Sequence, residues 1–109
     1  NVRDWLYVED HVEAIDLIFH RGNVGETYCI GGNNEIRNLD LIKLIIKQFD
    51  SIKKYKNSSI DLINFVKDRL GHDYRYAIDI SKIKNELGWK PKTSIDIGLK
   101  NTLNWYMNE

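Results

Sequence analysis

Apolar residues recur at helical spacing in four stretches of the chain, and each stretch predicts one helix. The first carries a wide apolar stripe, which predicts a helix with a broad buried face: Val12, Ala14, Ile15, Leu17, Ile18 and Phe19. Asp10 and Glu13 have the side chains and the spacing of a capping box, so we expect this helix to begin at Asp10. Gly22 is a typical residue at the end of a helix.

The next two helices have equally clear boundary signals. Asn38 is a candidate N-cap for the second helix, whose apolar face comprises Ile42, Ile45, Ile46 and Phe49. The third helix lies in the segment "DISKIKNELGW", with a stripe of Ile80, Ile83 and Leu87. Gly88 is placed to adopt the left-handed conformation that ends a helix, and Trp89 is expected to fold back onto Ile83.

The fourth helix is predicted in the segment "TSIDIGLKNTLNWYMN", after Pro91 has interrupted the chain. Thr93 and Asp96 have the spacing of a capping pair at its start. Its apolar face comprises Ile95, Leu99, Leu103 and Tyr106.

Three short segments have strand-like composition. Residues 5–8 and 27–30 are rich in aromatic and β-branched side chains, which predicts two short strands. Residues 60–66 fit a strand or a helix, and their short length and β-branched content favour a strand. The predicted fold is α/β (α+β as an isolated piece), with about four helices. Strands this few and short do not make a sheet alone, so we expect them to complete a sheet supplied from elsewhere.

Composition and charge narrow the classes of function. A length of 109 residues predicts a single domain, and 16 basic residues balance 16 acidic ones, so no net charge attracts nucleic acid or an anionic membrane. No apolar run approaches the length needed to span a bilayer. Cys29 is the only cysteine, which excludes an intrachain disulfide and favours the cytoplasm. Within its apolar stretch, Cys29 is interpreted as a small buried hydrophobic residue rather than a nucleophile.

The sequence lacks the common catalytic motifs but contains one dense charged segment. It has no glycine-rich phosphate loop, no histidine or cysteine spacing typical of a metal site, and no recognisable catalytic triad. The segment "KDRLGHDYRYAID" (67–79) groups charged side chains around one glycine: Asp68, Arg69, His72, Asp73, Arg75 and Asp79. Arginine suits a diphosphate because its planar fork donates two parallel hydrogen bonds. A solvated surface loop is the competing interpretation.

Two further residues allow both a structural and a binding role. Arg3 could form a local ion pair with its neighbour Asp4, or bind an anion at the end of a strand. Asn38 could cap a helix, bind a ligand, or do both. The three tryptophans, Trp5, Trp89 and Trp105, are interpreted as core or interface anchors rather than platforms for a base.

Three segments together resemble a known enzyme family. "VRDWLYVEDHVEAIDLI", "GETYCIGGNNEIRNLDLIKLI" and "DRLGHDYRYAIDISKIKNELGWKPKTSIDIGLKNTLNWY" are similar to the C-terminal part of dTDP-glucose 4,6-dehydratases. These enzymes belong to the extended short-chain dehydrogenase/reductase family that acts on nucleotide sugars. The resemblance implies a parent enzyme that converts dTDP-glucose to a 4-keto-6-deoxy sugar, a precursor of rhamnose and other deoxysugars. It runs from residue 2 to about residue 107, broken only near residues 50–59.

The resemblance also implies which residues bind and which groups are elsewhere. The implied substrate-binding residues are Arg3, Asn38, Asp68, Arg69, Leu70, Gly71 and His72. Family members usually have proline where this chain has Leu70, and losing the fixed backbone angle predicts a more mobile loop. NAD and the catalytic groups are implied to lie in an N-terminal Rossmann domain that is absent here. We therefore expect residues 1–109 to form one C-terminal nucleotide-sugar-binding domain that is inactive alone, with no catalytic, cofactor or metal residues.

Other functions remain open at this point. The chain could come from a related sugar-nucleotide epimerase or dehydratase, or be a stand-alone domain that binds a nucleotide sugar or a protein. The expected partner is a dTDP-sugar, with neither nucleic acid nor membrane. The parent enzyme is expected to be a cytoplasmic homodimer. The isolated piece is expected to self-associate through exposed strand edges and an apolar face.

Overall fold

A computed structural model describes residues 1–53, 59–67, 70, 71, 75 and 77–108. The described residues form four α-helices, two β-strands and one 3₁₀ helix, so the predicted number of helices and the α/β class are confirmed. In chain order the elements are β1 (Val2–Asp4), α1 (Val8–Arg21), β2 (Glu35–Arg37), α2 (Asn38–Lys53), the 3₁₀ helix (Ser59–Leu62), α3 (Ser81–Leu87) and α4 (Ile95–Met107).

The sheet is small and is centred on β1. Strands β1 and β2 pair antiparallel, with Arg3 opposite Ile36. On its other side, β1 makes a parallel bridge from Val2 to Arg75. The strand predicted at residues 5–8 is wrong, because β1 ends at Asp4 and α1 already begins at Val8. The Trp5 indole nitrogen instead donates to the carbonyl of Ile36 at 3.2 Å, so the aromatic side chain packs across the sheet.

Helix α1 begins at Val8, and the predicted capping box at Asp10 is wrong. Asp10 lies inside the helix and is 1% exposed. Its carboxylate accepts hydrogen bonds from the backbone nitrogens of Lys92 and Thr93 at 3.2 and 3.0 Å, and from the Thr93 hydroxyl at 3.2 Å. The helix ends before Gly22, as predicted. Asp10 therefore fixes the segment after α3 to α1 instead of starting a helix.

The core lies between α1 and α3. Ala14, Ile83, Leu87 and Trp89 are buried together, which confirms the predicted return of Trp89 to the α3 stripe. Gly88 adopts a left-handed conformation with φ of 72°, as predicted for the end of α3. Half-buried residues surround this cluster, namely Leu6, Leu17, Ile18, Tyr28, Ile30 and Ile80.

Only part of the predicted apolar face of α1 reaches this core. Ala14 is buried, whereas Val12, Ile15 and Phe19 are 58%, 53% and 83% exposed. The prediction of one broad buried face is therefore wrong for these three residues. The apolar face of α1 is wide enough to pack against two neighbouring elements, and the described part of the chain supplies one of them, α3.

Helix α4 has a different cap from the predicted one. The Ser94 hydroxyl accepts from the Ile97 nitrogen at 3.3 Å, while Thr93 is bonded to Asp10. The predicted pair of Thr93 and Asp96 is therefore wrong. Helix α4 packs beside α2, where the Gln48 side chain donates to the carbonyl of Asp96 at 3.0 Å.

Two other strand predictions are also wrong. Residues 27–30 have no assigned strand pairing in the described part of the chain. Residues 60–66 run from the 3₁₀ helix into irregular backbone, and Leu62, Phe65 and Val66 are exposed. Cys29 is exposed, so its interpretation as a buried hydrophobic residue is wrong as well.

Candidate functional site

The pairing of β1 with β2 brings two of the predicted site residues, Arg3 and Asn38, near each other. Arg3 lies at the centre of the strand, opposite Ile36, and Asn38 follows β2 directly. The backbone nitrogen of Asn38 donates to the carbonyl of Asn1 at 2.8 Å. Arg3 and Asn38 are therefore within about two residues of each other across the sheet, although 35 positions separate them in the sequence.

Arg3 is held close to its own strand. Its side chain is half-buried, and one guanidinium nitrogen, Nη1, donates to the carbonyl of Val2 at 2.8 Å. A guanidinium carries five N–H donors in a planar fork, and this bond orients the Arg3 side chain at the sheet.

Asn38 contains a buried acceptor without a described partner. It is the first residue of α2, and its side-chain Oδ1 is buried with no hydrogen bond to the described residues. The predicted capping role is therefore wrong, since a capping side chain accepts a bond through this oxygen. A buried acceptor without a partner costs about 1–3 kcal/mol, so such atoms need an explanation. A ligand donor would supply the missing partner.

The dense charged segment joins β1 through its described residues. Arg75 bridges to Val2 and forms an ion pair with Glu35 on β2. Leu70 and Gly71 form a turn in which Leu70 is 96% exposed and Gly71 has φ of 74°. That left-handed angle accounts for glycine at this position. Asp68, Arg69 and His72 lie outside the described residues, so their role stays a prediction.

Asp79, at the end of the same segment, has a structural role. Its carboxylate accepts from the backbone nitrogen and the hydroxyl of Ser81 at 2.9 and 2.5 Å. These two hydrogen bonds hold the pKa of Asp79 below its ordinary value. Asp79 therefore stabilises the start of α3 rather than offering a free carboxylate to a ligand.

The charges at the start of α2 are paired locally. The guanidinium of Arg37 donates to both carboxylate oxygens of Asp40, at 2.8 and 3.1 Å. The hydrogen bond from Arg37 lowers the pKa of Asp40, so this carboxylate stays ionised and paired at neutral pH. Because Asp40 is neutralised by Arg37, it opposes an anion near the helix N-terminus less than a lone carboxylate would.

The role of Asp4 was missed by sequence reasoning. Its two carboxylate oxygens accept from the backbone nitrogens of Gly32 and Asn34 at 3.2 and 2.9 Å. Both glycines of the turn lie close to β1, and a methyl group at Gly32 would meet the Trp5 carbonyl oxygen at 1.8 Å. Asp4 thus fixes the turn that leads into β2 and Asn38. The signal for this role in the sequence was an acidic residue next to Arg3, 27 residues before the glycine pair that begins at Gly31.

An apolar cavity beyond the end of β1 was also missed. It has a volume of about 690 Å³ and lies between residues 5–9, α2 and α4. Aromatic side chains line part of it, including Trp5, Tyr7, Trp105 and Tyr106. Trp105 and Tyr106 are 60% and 67% exposed and meet edge to face. No lysine or arginine lines the cavity, so it lacks the positive charge that a diphosphate requires. We therefore assign it no part in the candidate site.

In the part of the chain that the structure describes, no three His, Cys, Asp or Glu side chains lie close enough to hold a metal ion. None of the helices in the same residues is both long and apolar enough to cross a bilayer.

Comparison with known proteins decides the family. The profile of the GDP-mannose 4,6 dehydratase family matches residues 1–102. This chain belongs to that family. It is 48% identical over 111 aligned residues to a dTDP-glucose 4,6-dehydratase of Escherichia coli, covering 98% of this chain and 31% of the relative. The resemblance inferred from the sequence motifs is thereby confirmed, and the chain spans about a third of the length of this relative.

Solved structures place the fold in the same group. A dTDP-glucose 4,6-dehydratase from Bacillus anthracis, solved in complex with NAD, is 45% identical with a TM-score of 0.85, covering 100% of this chain and 32% of that one. A UDP-glucose 4-epimerase from Thermotoga maritima, solved with UDP-glucose, is 31% identical with a TM-score of 0.79, covering 98% of this chain and 32% of that one. The chain therefore has the α/β fold of a fragment of extended short-chain dehydrogenase/reductase enzymes.

Proposed function

We propose that this chain is the C-terminal, nucleotide-sugar-binding part of a dTDP-glucose 4,6-dehydratase and that it holds the diphosphate of a dTDP-sugar. The observation that carries the proposal is the pairing of β1 with β2, which brings Arg3 and Asn38 within about two residues of each other across the sheet. The buried Oδ1 of Asn38, without a partner among the described residues, supports a ligand contact there. The E. coli relative, named for this activity, supports the choice of substrate.

The chemistry of these groups suits a nucleotide diphosphate. The Arg3 guanidinium can donate parallel hydrogen bonds to two oxygens of a diphosphate, and its charge is permanent. The 16-residue helix α2 directs its positive end toward the same region. The Asn38 oxygen accepts hydrogen bonds, so it suits a sugar hydroxyl or a base N–H rather than a phosphate oxygen. In this arrangement the chain binds and orients the substrate.

The remaining groups of the substrate site are proposed from the resemblance. Asp68, Arg69, Leu70, Gly71 and His72 are proposed to surround the diphosphate and nucleoside. The described end of this segment, Arg75, is bridged to Val2 beside Arg3, which supports their convergence on one site.

NAD is proposed to be held by the rest of the enzyme. The B. anthracis relative was solved with NAD, but the described residues of this chain do not fit a dinucleotide. Their sheet is two-stranded and antiparallel, and β2 passes directly into α2 without a glycine-rich turn for phosphates. We therefore assign no catalytic residue to this chain and expect it to be inactive alone. The whole enzyme is proposed to be a cytoplasmic homodimer, and an exposed free Cys29 is compatible with a reducing compartment.

A UDP-sugar epimerase is the second candidate. It is favoured by one observation, the TM-score of 0.79 with the UDP-glucose 4-epimerase of T. maritima. The substrates of both candidates contain a diphosphate, so Arg3 and Asn38 could bind either of them. The two substrates differ in the nucleotide, which is dTDP for the dehydratase and UDP for the epimerase.

The test uses a chimaera in which these 109 residues replace the matching third of the E. coli enzyme. Calorimetric titration is expected to give tighter binding for dTDP than for UDP. Arg3→Ala should weaken dTDP binding by about 1–3 kcal/mol, roughly five- to 150-fold. Arg21→Ala, at the exposed end of α1, is the matched control and should bind normally. Unchanged affinity in Arg3→Ala would refute the assignment, and a preference for UDP would favour the epimerase.

A further inference from the structure

We propose that Glu35 and Arg75 form a clamp across the small sheet, and that this clamp positions the turn at residues 70–71 for the substrate. The inference rests on the proposed function in one respect, because it takes this turn and Asn38 to contact the same nucleotide sugar. Glu35 and Arg75 are positioning residues in this proposal, since neither of them contacts the substrate.

Three extended segments lie side by side in the sheet, and each leads to a residue of the proposed site. Strand β1 is central and contains Arg3, and β2 passes directly into Asn38. On the other edge of β1, Arg75 bridges to Val2, four residues after Gly71. Because β1 lies between the two outer segments, their backbones are about 10 Å apart at the usual strand spacing. A direct link between them therefore requires side chains.

The ion pair between Arg75 and Glu35 supplies this link. The carboxylate belongs to β2, three residues before Asn38, and the guanidinium belongs to the segment on the far edge of β1. Both side chains line one cleft of about 350 Å³, together with Asp4 of β1. The ion pair therefore passes over β1 and joins its two neighbours.

The charges on this face of the sheet explain why the pair forms. Glu35 lies directly opposite Asp4 in the antiparallel register, and two carboxylates in that position repel each other. Asp4 is held in place by the backbone nitrogens of Gly32 and Asn34, at 3.2 and 2.9 Å. The guanidinium of Arg75 neutralises Glu35, so it removes this repulsion and is attracted to the centre of the sheet by both carboxylates.

The clamp lies on the opposite face of the sheet from Arg3. Successive side chains of a strand point to opposite faces, so Arg3 and its neighbour Asp4 lie on different faces. Residues directly opposite each other share a face, which puts Glu35 with Asp4 and Ile36 with Arg3. A diphosphate bound by Arg3 is therefore separated from the guanidinium of Arg75 by the sheet. The clamp acts on binding through the position of the backbone.

The exposure of the clamp limits its contribution to stability. The side chains of Arg75 and Glu35 are 61% and 38% exposed. Exposed ion pairs stabilise a fold only slightly, so loss of the pair should change the melting temperature by no more than about 2 °C. A small displacement of a binding turn is nevertheless enough to weaken its hydrogen bonds to a ligand. We therefore expect the effect of the clamp in the affinity for the substrate rather than in stability.

Single substitutions in the chimaera test the clamp by calorimetric titration with dTDP. Glu35→Ala and Arg75→Ala change the local charge in opposite directions, yet both should weaken dTDP binding by about five- to 20-fold. The double variant should bind about as well as the single variants, since each substitution removes the same link. In turnover of dTDP-glucose, KM should rise by a similar factor, whereas kcat should stay within about twofold.

Two patterns of affinity would overturn the clamp. Shifts in opposite directions for the two single variants would identify an effect of charge at a distance. A loss confined to Arg75→Ala, and equally large when Glu35 is already replaced, would identify a direct contact between Arg75 and the substrate.

Lys92→Ala is the matched control. Lys92 pairs with Glu13 of α1 at 2.6 Å, and their side chains are 66% and 47% exposed, similar to those of the clamp. This pair joins the segment before α4 to α1 instead of joining two segments of the sheet. The affinity for dTDP should therefore be unchanged. An equal loss of affinity in the control would contradict a specific role for the clamp.

Amide exchange in the 109-residue chain tests the clamp without a ligand. Glu35→Ala leaves Arg75 in place, and exchange of the backbone amides at the bridge between Val2 and Arg75 should become at least about threefold faster. Unchanged exchange would overturn the clamp whatever the binding result.

The titrations also separate the clamp from the proposed function. A chimaera that folds but binds no dTDP would refute the proposed function and, with it, the role of the clamp in substrate binding. Normal binding by the parent chimaera, with unchanged affinity in both single variants, would refute the clamp alone.

Discussion

At the scale of single residues, the two glycines after residues 27–30 set how closely the turn approaches β1. A methyl group at Gly31 would lie 2.6 Å from the Asp4 carboxylate, and one at Gly32 would lie 1.8 Å from the Trp5 carbonyl oxygen. The second contact is with backbone, which cannot move without disturbing β1. The site residues on both strands therefore depend on the absence of a side chain at Gly32.

Gly32→Ala is expected to destabilise the chain severely, by more than about 3 kcal/mol, because the new methyl group would force β1 and the turn apart. The measurement is urea unfolding. Gly25→Ala is the control, since Gly25 has open space around it and a φ of 82°, so alanine there costs only about 1 kcal/mol of backbone strain. An equal loss of unfolding free energy in the two variants would show that the turn does not pack closely against β1.

Asn38 is expected to show opposite effects on stability and on binding. Asn38→Ala removes a buried acceptor without a described partner, so the free protein should be unchanged or stabilised by up to about 1 kcal/mol. In the chimaera the same substitution should weaken dTDP-sugar binding by about 1–2 kcal/mol. Thermal melting and calorimetry measure the two effects, with exposed Asn101→Ala on α4 as control. A destabilised protein with normal binding would assign Asn38 a purely structural role.

Sequence motifs identified Arg3 and Asn38, but not how they come together. The motif around Arg3 is local, whereas the carboxylate of its neighbour Asp4 accepts hydrogen bonds from backbone nitrogens 28 and 30 positions away. Such contacts have no sequence period and leave no local signal. The burial of Asp10 escaped prediction for the same reason, since its partners at Lys92 and Thr93 are more than 80 positions away.

At the scale of elements, the helices were predictable and the strands were not. A helix of 13 to 16 residues repeats its apolar spacing several times, whereas the three-residue strands β1 and β2 are shorter than two periods. Their positions are set by cross-strand contacts such as that of Trp5 with Ile36. Periodicity also failed to show that Val12, Ile15 and Phe19 of α1 face away from the described core.

The start of α4 offers a test of the cap. Ser94→Ala removes the hydroxyl that accepts from Ile97 and should cost about 1 kcal/mol, with faster amide exchange in the first turn of α4. Thr93→Ala removes a bond to Asp10 instead, so exchange in that turn should stay slow. Faster exchange in the Thr93 variant alone would restore Thr93 as the cap.

Helix α3 offers a test by pH. The pKa of Asp79 is lowered in the folded chain by its two bonds to Ser81, so the folded state favours the ionised carboxylate. The stabilisation is therefore complete above the ordinary pKa of an aspartate, and it decreases as the pH falls through the lowered value, in the region below about pH 4. Asp79→Ala should be less stable than the parent chain at pH 6, and the difference should narrow at pH 3. A difference that is constant between these two pH values would contradict this role.

At the scale of the whole molecule, the fold is open and its core is small. The radius of gyration is 16.8 Å, against about 13 Å for a compact chain of this length. The buried apolar residues of the described chain are Ala14, Leu41, Ile83, Leu87 and Trp89. A core of this size leaves the exposed apolar surfaces of α1 and α4 as the main sites for further burial.

This exposed surface predicts weak self-association of the 109-residue chain in isolation. Sedimentation equilibrium should show an apparent mass that rises with concentration above tens of micromolar, which is the range of weak apolar contacts. Ile15→Lys should reduce this rise, because it puts a charge among the exposed apolar residues of α1, whereas Lys47→Glu at an exposed position of α2 should not. A chain that remains monomeric at high concentration and unfolds cooperatively would show that the exposed apolar residues of α1 are stable in contact with water.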